Sequence, residues 1–267
     1  MKYCANKMCL ILVLLLVLCS VSALSEEVVL VDNEQMSVKV KEYTEDALWG
    51  PSMKLYLENK TDNTMMFSID GCAVNGYMND PFWAFEVIGG SKANQEVSWM
   101  GLEEDLRRID FDLRVTDSED WMAAPYLEAS YTLFPQGQEN ALIVERASCE
   151  TDIVLFDTEE VTMIVTGFGY DEIWGNAVHV YMVNKTDRTL MFSVENATVN
   201  GFMSDPFWAL EVRAGMRAYS DIMWSDEQLA ENDITEIEQI GLDINVYDSE
   251  DWMADRIVEG QYTIKVK

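Results

Sequence analysis

Residues 59–87 read NKTDNTMMFSIDGCAVNGYMNDPFWAFEV, and residues 184–212 read NKTDRTLMFSVENATVNGFMSDPFWALEV. The two stretches align without a gap at an offset of 125 residues, and 19 of the 29 positions are identical. A second match, DSEDWMA at 117–123 and at 248–254, follows at an offset of 131. Self-similarity at a fixed offset marks a repeat protein, and a unit of about 110 residues is the size of a whole domain. The chain is therefore predicted to contain two copies of one domain.

Each copy has the pattern of an antiparallel all-β domain. In the second copy, short runs rich in β-branched and aromatic residues, such as 177–183, alternate with turn residues. Asn200-Gly201 is a strong hairpin signal, because both residues accept a positive φ. Residues 225–228 form a Ser-x-x-Gln capping box and predict a short helix over 226–232, with 102–108 as its counterpart in the first copy. These patterns predict two tandem immunoglobulin-like antiparallel β-sandwich domains, each with one short helix.

The N-terminus has the pattern of a secretory signal peptide. Two lysines precede an apolar run over 9–19, and small residues end the segment at Ala23. The alternative is a lipoprotein anchored through Cys19, which the bulky Leu18 before that cysteine disfavours. No second long apolar run follows, so we expect no membrane span after cleavage. The predicted boundaries are a signal peptide over 1–23, a first β-sandwich over 27–135, a linker over 136–151 and a second β-sandwich over 152–267.

The chain is strongly acidic. Its formal net charge is −30, and removing Lys2 and Lys7 with the signal peptide gives −30 − 2 = −32. Such a surface repels nucleic acids and anionic membranes, so nucleic-acid binding is not expected. Hydrophobic residues make up 49% and aromatic residues 11%, which is typical of a folded protein.

Cysteine content indicates how the domains are held together. Of the five cysteines, only Cys72 and Cys149 follow the signal peptide, and neither belongs to the duplicated pattern. An oxidising compartment permits a bridge between them, and two free thiols are the alternative. No CxxC spacing or Cys/His cluster occurs, so a zinc site is not expected.

The duplicated DPFWA segment supplies the candidate ligand-binding residues. Aromatic side chains stack on sugar rings and dominate protein–protein hot spots. A strand in a small sandwich must also carry large side chains into its core, so we expect at least one of each Phe-Trp pair to pack inside. The candidates are Phe82, Trp83, Phe207 and Trp208.

The duplicated DSEDW segment supplies the candidate cation ligands. Calcium takes several hard oxygen ligands, and clustered carboxylates in a loop provide them. The alternative is a solvated acidic turn capped by a buried Trp121 or Trp252. The candidate ligands are Asp117, Glu119, Asp120, Asp248, Glu250 and Asp251. Apart from calcium, no cofactor is predicted.

Catalytic signals are absent from the sequence. The single histidine, His179, aligns with Lys54 of the first copy, whereas a duplicated nucleophilic site would need a histidine in both. No GxSxG, Walker or HExxH motif occurs. The protein is therefore predicted not to be an enzyme.

The segments ENKTDNTMMFS, VNGYMNDPFWA and DSEDWMA resemble a group of secreted or surface tandem-repeat proteins of Gram-positive anaerobic bacteria, which string together immunoglobulin-like domains. More loosely, each copy resembles telokin-like extracellular domains. The resemblance covers nearly all of both copies. It implies a β-sandwich fold and an extracellular or envelope location, and it supplies no ligand or catalytic residue.

The sequence therefore favours a secreted, non-enzymatic binding or display protein of the cell envelope, with a protein or glycan as partner. Two copies suit avidity, because a tethered second domain meets its target at a high effective concentration. One alternative is a tandem carbohydrate-binding module, which predicts exposed, coplanar Trp83 and Trp208. The other is a calcium-dependent extracellular interaction protein, which predicts convergent carboxylates in the two DSEDW loops.

Overall fold

The computed structural model of the protein describes residues 27–46, 48–120, 122–141, 143–251 and 253–266. The predicted signal peptide, Cys19, Trp121 and Trp252 lie outside these residues. The first copy is called unit 1 and the second unit 2. Unit 1 contains β1 (Val28–Asp32), β2 (Met36–Asp46), β3 (Gly50–Asn59), β4 (Met65–Val74), β5 (Tyr77–Met78), β6 (Ala84–Val87), β7 (Lys92–Ser98), β8 (Ile109–Asp117) and β9 (Leu127–Leu133). Unit 2 contains β10 (Ile153–Asp157), β11 (Val161–Asp171), β12 (Gly175–Asn184), β13 (Leu190–Val199), β14 (Phe202–Met203), β15 (Ala209–Val212), β16 (Arg217–Trp224), α1 (Asp226–Ala230), β17 (Gln239–Asp248) and β18 (Val258–Lys265).

The strands of each unit form two sheets in the same order. In unit 1, β1-β2-β3-β7 forms one antiparallel sheet, and β5-β4-β8-β9 forms the other, with β6 also paired to β4. Unit 2 repeats this order as β10-β11-β12-β16 and β14-β13-β17-β18, with β15 paired to β13. The predicted all-β class is confirmed.

Alternating side chains give each unit its own core. Along β3, Met53, Leu55 and Leu57 are buried, and the residues between them are partly exposed, as the period of two in a strand requires. The core of unit 1 is built from residues between Met36 and Leu133, and that of unit 2 mainly from residues between Phe156 and Ile264. Burial of these apolar faces is the main force that holds two sheets together.

The predicted helix forms in unit 2 and not in unit 1. In unit 2 the Ser225 side chain accepts a hydrogen bond from the Gln228 N–H at 3.2 Å, and α1 follows. Residues 102–108 of unit 1 contain no helix, so that prediction was wrong. The capping serine is the physical reason, because its counterpart at the same offset from the shared tryptophan is Met100, followed by Gly101 at a φ of 81°.

The strands β7 and β16 were not among the predicted strands, and β16 joins the two units. Its Arg217 N–H donates to the Gly76 carbonyl at 3.0 Å, in a parallel pairing with β5. The second sheet of unit 1 is therefore continuous with the first sheet of unit 2. Residues 217–224 mix polar and apolar side chains, which explains the weak sequence signal.

No helix among the described residues is long and apolar enough to cross a membrane.

Candidate functional site

The duplicated VNG segment forms a tight hairpin turn in both units. Asn75 and Gly76 have φ values of 53° and 88°, and Asn200 and Gly201 have 51° and 86°. In unit 1 the turn sets the register in which Val74 faces Tyr77. Two positive φ values are the signature of the turn that matches the twist of paired strands, as the sequence predicted.

The DPFWA segment that follows turns sharply at its phenylalanine. The Asp80 carboxylate accepts the Phe82 N–H at 3.0 Å, and the Asp205 carboxylate accepts the Phe207 N–H at 2.9 Å. Phe82 and Phe207 have φ values of 49° and 48°, in the left-handed region. That conformation costs an L-residue about 1–2 kcal/mol. The strand therefore begins only at Ala84 and Ala209.

The turn separates the two aromatic residues of each pair. Phe82 is 94% exposed and Phe207 is 97% exposed. Trp208 is buried, and its Nε1 donates to the Ser220 hydroxyl at 3.0 Å. Trp83 is partly buried and packs against the core of unit 1. The two tryptophans thus do not form the exposed coplanar pair that the carbohydrate-binding alternative requires.

A backbone contact fixes which aromatic residue points inward. The Trp83 carbonyl accepts the Ile69 N–H at 3.2 Å, and the Trp208 carbonyl accepts the Val194 N–H at 3.1 Å. These bonds tie each tryptophan to the inner strand β4 or β13, while the phenylalanine before it lies at the apex of the turn. In each unit this turn therefore presents its phenylalanine ring to solvent.

The acidic DSED loop of unit 1 is organised by protein donors. The Asp117 carboxylate accepts the N–H groups of Glu119 and Asp120 at 2.9 and 3.2 Å, the Asn63 amide at 2.9 Å and the Tyr126 hydroxyl at 3.0 Å. These bonds, with the Glu119 N–H contributing most, lower the pKa of Asp117. Its oxygens therefore stabilise the loop itself.

The equivalent loop of unit 2 has the same design. Asp248 accepts the Glu250 N–H at 3.0 Å and pairs with Arg188, the counterpart of Asn63, at 3.2 Å. Glu119, Asp120, Glu250 and Asp251 are exposed. In the part of the chain that the structure describes, no group of three or more His, Cys, Asp or Glu residues is placed to hold a metal ion. The convergent carboxylates that the calcium alternative predicts are not seen in these loops.

The duplicated NKTD segment is built around a buried asparagine. The Asn59 amide donates to the carbonyls of Asn63 and Val87 at 2.7 and 2.8 Å, and its oxygen accepts both the N–H and the hydroxyl of Thr61. Asn184 makes the same set of bonds in unit 2. The duplication of this segment is explained by the loop that the buried amide holds together.

The sequence reasoning missed a second duplicated aromatic feature. Leu48-Trp49 and Ile173-Trp174 lie at the tips of the β2-β3 and β11-β12 hairpins, and all four side chains are exposed. The signal was available, since LWG at 48–50 and IWG at 173–175 match at the same offset of 125.

The two cysteines and the histidine lie on three different segments: Cys72 on β4, Cys149 between the units and His179 on β12. Cys72 is buried and Cys149 is exposed, and both thiols are free, so the possible bridge between them is not formed. His179 pairs with Asp221 at 2.6 Å on the outer face of β12 and β16. The His179 ring lies over Gly169, where an added Cβ would be 2.5 Å from Nε2. This close packing is that of a side chain held on a sheet face.

Comparisons with known proteins give no family. No known protein family and no curated protein matches the chain. Solved structures with a distant likeness include the YadV chaperone, at 9% identity over 80% of this chain and 92% of that chain, with a TM-score of 0.23. They also include Salmonella enterica SafA pilin in complex with the SafB chaperone, at 11% identity over 87% of this chain and 99% of that chain, with a TM-score of 0.22. A likeness at this level carries no information about the ligand, and the resemblance to envelope repeat proteins stays a prediction.

Proposed function

We propose that the protein is a secreted, non-enzymatic binding protein of the cell envelope, and that each unit presents one phenylalanine to a protein partner. The observation that carries this proposal is the near-complete exposure of Phe82 and Phe207 in left-handed turns at equivalent places. The secreted location rests on the N-terminal pattern and on the resemblance described above.

The strained turns support a binding role over a structural one. A phenylalanine with a positive φ raises the energy of the folded chain, and an exposed ring returns little of that energy through packing. Backbone strain of this kind concentrates at functional sites, where the surrounding structure holds it. A glycine or asparagine would fit either turn with less strain, so the ring itself is what the position supplies.

The chemistry of the two loops favours a protein over a glycan. Isolated aromatic rings that enter apolar pockets are the usual anchors of protein interfaces. Sugar platforms instead use extended aromatic faces, and Trp208 is buried. Two phenylalanines in tandem units suit bivalent binding, which multiplies the strength of two weak contacts.

The arrangement of strands supports the immunoglobulin-like part of the proposal. In unit 1, β2, β3 and β7 lie in one sheet, while β4, β8 and β9 lie in the other. The chain therefore crosses between the sheets after its first long hairpin and again around β7. Immunoglobulin-like sandwiches cross between their sheets in a comparable way. Such sandwiches commonly act as scaffolds for binding loops.

The proposal is tested by capture with residues 24–267 immobilised and incubated with envelope extract of the producing cells. Phe82→Gly and Phe207→Gly should each weaken capture about tenfold or more, and the double variant should abolish it, because avidity commonly adds about 100-fold or more. Met100→Ser is the matched control, since it removes another exposed apolar side chain and introduces the residue that unit 2 carries at that place. Unchanged capture by the folded double variant would refute the proposal.

Stability measurements on the same variants separate binding from folding. Because glycine relieves the left-handed strain, Phe207→Gly should leave the free energy of unfolding unchanged or raise it by about 0.5–1 kcal/mol. A loss of more than about 1 kcal/mol would mean that the ring stabilises the fold, as buried aromatic side chains do.

A further inference from the structure

The edge of unit 1 that contains the VNG turn is covered by unit 2. The Gly76 carbonyl accepts the Arg217 N–H, and the Tyr77 ring stacks on Tyr219 with 5.8 Å between ring centroids and 6° between ring planes. The side chain of Met78 packs against the core of unit 2. At this edge, unit 1 thus contacts unit 2 through a backbone acceptor, an aromatic ring and a methionine.

A charged contact between the units lies beside this edge. The Arg213 guanidinium donates to the Asp112 carboxylate, with a 3.1 Å bond from one of its terminal nitrogens, and to the Gly71 carbonyl at 3.2 Å. The pair is largely shielded from solvent on the arginine side, where 16% of the side chain is exposed. The segment that binds unit 1 therefore has the pattern Arg-x-x-x-Arg-x-Tyr over residues 213–219.

Unit 2 carries corresponding groups at this edge, and the apolar side chains among them are exposed to solvent. The counterparts of Gly76, Tyr77 and Met78 are Gly201, Phe202 and Met203. Phe202 is 51% exposed and Met203 is 64% exposed, and β14 is an edge strand of its sheet. Asp243 is the counterpart of Asp112, and its carboxylate meets the Asn196 amide at 3.2 Å.

We propose that the β14 edge of unit 2 binds the edge strand of a further β-sandwich protein, in the way that β5 binds β16. The established contact between the units defines the chemistry of this strand. Its main-chain N–H donates to the Gly201 carbonyl, its aromatic ring stacks on Phe202, and an arginine four residues before the donor approaches Asp243. Strand addition at an open edge is a recurring mode of protein recognition.

A second copy of this chain does not supply that strand. The counterpart of β16 is β7 of unit 1, which is also an edge strand. At the places of Arg213 and Tyr219 it carries Ile88 and Asn94, so the cation for Asp243 and the ring for Phe202 are both absent. Two chains with a formal charge of −30 also repel each other. The same charge attracts a basic strand with two arginines, so the occupant is a different protein.

The first experiment gives β7 the arginine and the aromatic ring that the proposal requires of the bound strand. Ile88→Arg/Asn94→Tyr changes two exposed side chains, so the fold should be retained. Analytical ultracentrifugation should show a monomer for residues 24–267 and head-to-tail oligomers for the double variant, because the contact is heterologous and does not close. Adding Phe202→Ser and Asp243→Asn should return the double variant to a monomer. Assembly that persists in the four-fold variant would overturn the proposal.

The second experiment tests the unmodified chain with short peptides. A peptide of residues 212–221 and a control peptide of residues 87–96 are titrated onto residues 24–267, and the amide signals of 201–203 are followed by NMR. The first peptide should shift these signals and bind at least tenfold more tightly than the control. No assembly of the folded double variant together with no peptide effect would overturn the proposal. Oligomers of the unmodified chain would also overturn it, since a second copy would then be the occupant. Neither experiment depends on Phe82 or Phe207, which both leave unchanged.

Discussion

The two VNG hairpins have nearly the same sequence and different surroundings. Residues 74–78 read VNGYM and residues 199–203 read VNGFM. In unit 1 the turn is buried and Tyr77 and Met78 are partly buried, while in unit 2 Phe202 and Met203 are exposed. The local backbone is the same in both, with left-handed Asn-Gly turns. The sequence of a hairpin therefore fixes its shape, and its tertiary neighbours decide whether it is an interface or a free edge.

The hydrophobic cores of the two units are equivalent, unlike the two hairpins. The substitutions with the largest expected effect on stability test this equivalence. Trp99 and Trp224 are both buried, and each indole N–H donates to a backbone carbonyl, of Asn79 at 3.2 Å or of Ser204 at 2.8 Å. Trp99→Ala and Trp224→Ala should each lower the free energy of unfolding of their own unit by about 3–5 kcal/mol. Urea unfolding of the two variants measures this. A loss below about 1 kcal/mol in either unit would break the equivalence of the cores.

The NKTD loops should be equivalent as well, with a smaller effect. Asn59→Ala and Asn184→Ala each leave one buried and at least one partly buried backbone carbonyl without their amide donor. Each substitution should cost about 2–3 kcal/mol, because unpaired buried polar groups keep their full desolvation penalty. The same unfolding experiment compares the two. Asp62→Ala, which changes an exposed residue of the same loop, should cost less than about 0.5 kcal/mol.

Substitutions at equivalent places of the two units should have unequal effects on the contact between the units. Arg213 binds Asp112 across the interface, whereas its counterpart Ile88 is exposed. Arg213→Ala should weaken the contact between the units by about 1–2 kcal/mol, and Ile88→Ala should not change it. Small-angle X-ray scattering and the rate of proteolysis within residues 134–152 report the loosened contact. Equal behaviour of the two variants would mean that the charged pair does not hold the units together.

Much of the fold follows from local chemistry that the sequence displays. The duplication, the Asn-Gly turns and the capped helix of unit 2 each depend on a few adjacent residues. The helix predicted for unit 1 does not form, because Met100 stands where unit 2 has its capping serine. The repeat alignment alone did not reveal this replacement. The strand β16 is stabilised partly by a contact made across the two units, which no local pattern reports.

The sequence predicts where the candidate site lies, but it does not predict which of its aromatic side chains is exposed. Alternation indicates that one member of each Phe-Trp pair packs inside, and it does not indicate which. The left-handed φ at Phe82 and Phe207 reverses the phase of the alternation. The hydrogen bonds that hold the tryptophan after each phenylalanine come from another strand, from Ile69 and Val194. Trp49 and Trp174 could have been found, because their match needs only the offset of the repeat.

The smallest expected effect concerns a residue that only unit 1 carries. Cys72 is buried, and its counterpart in unit 2 is Ala197. Burial raises the pKa of the Cys72 thiol to about 12, while a hydrogen bond from the Thr151 hydroxyl lowers the pKa of the exposed Cys149. At pH 8 a thiol reagent should therefore label Cys149 in native residues 24–267 and reach Cys72 only after unfolding.

The same shift gives unit 1 a dependence on pH that Ala197 cannot give unit 2. An unfolded cysteine loses its proton above about pH 8.5, and the folded Cys72 keeps its proton until near its pKa of about 12. The unfolded chain then binds fewer protons than the folded chain, so the stability of unit 1 falls as the pH rises from about 9 to 11. Cys72→Ala should cost unit 1 no more than about 1 kcal/mol at pH 7 and should remove this part of the decline. Urea unfolding at pH 7 and pH 10 measures both quantities. A decline that is the same with and without Cys72 would show that other groups, such as the tyrosines common to both units, control the alkaline stability.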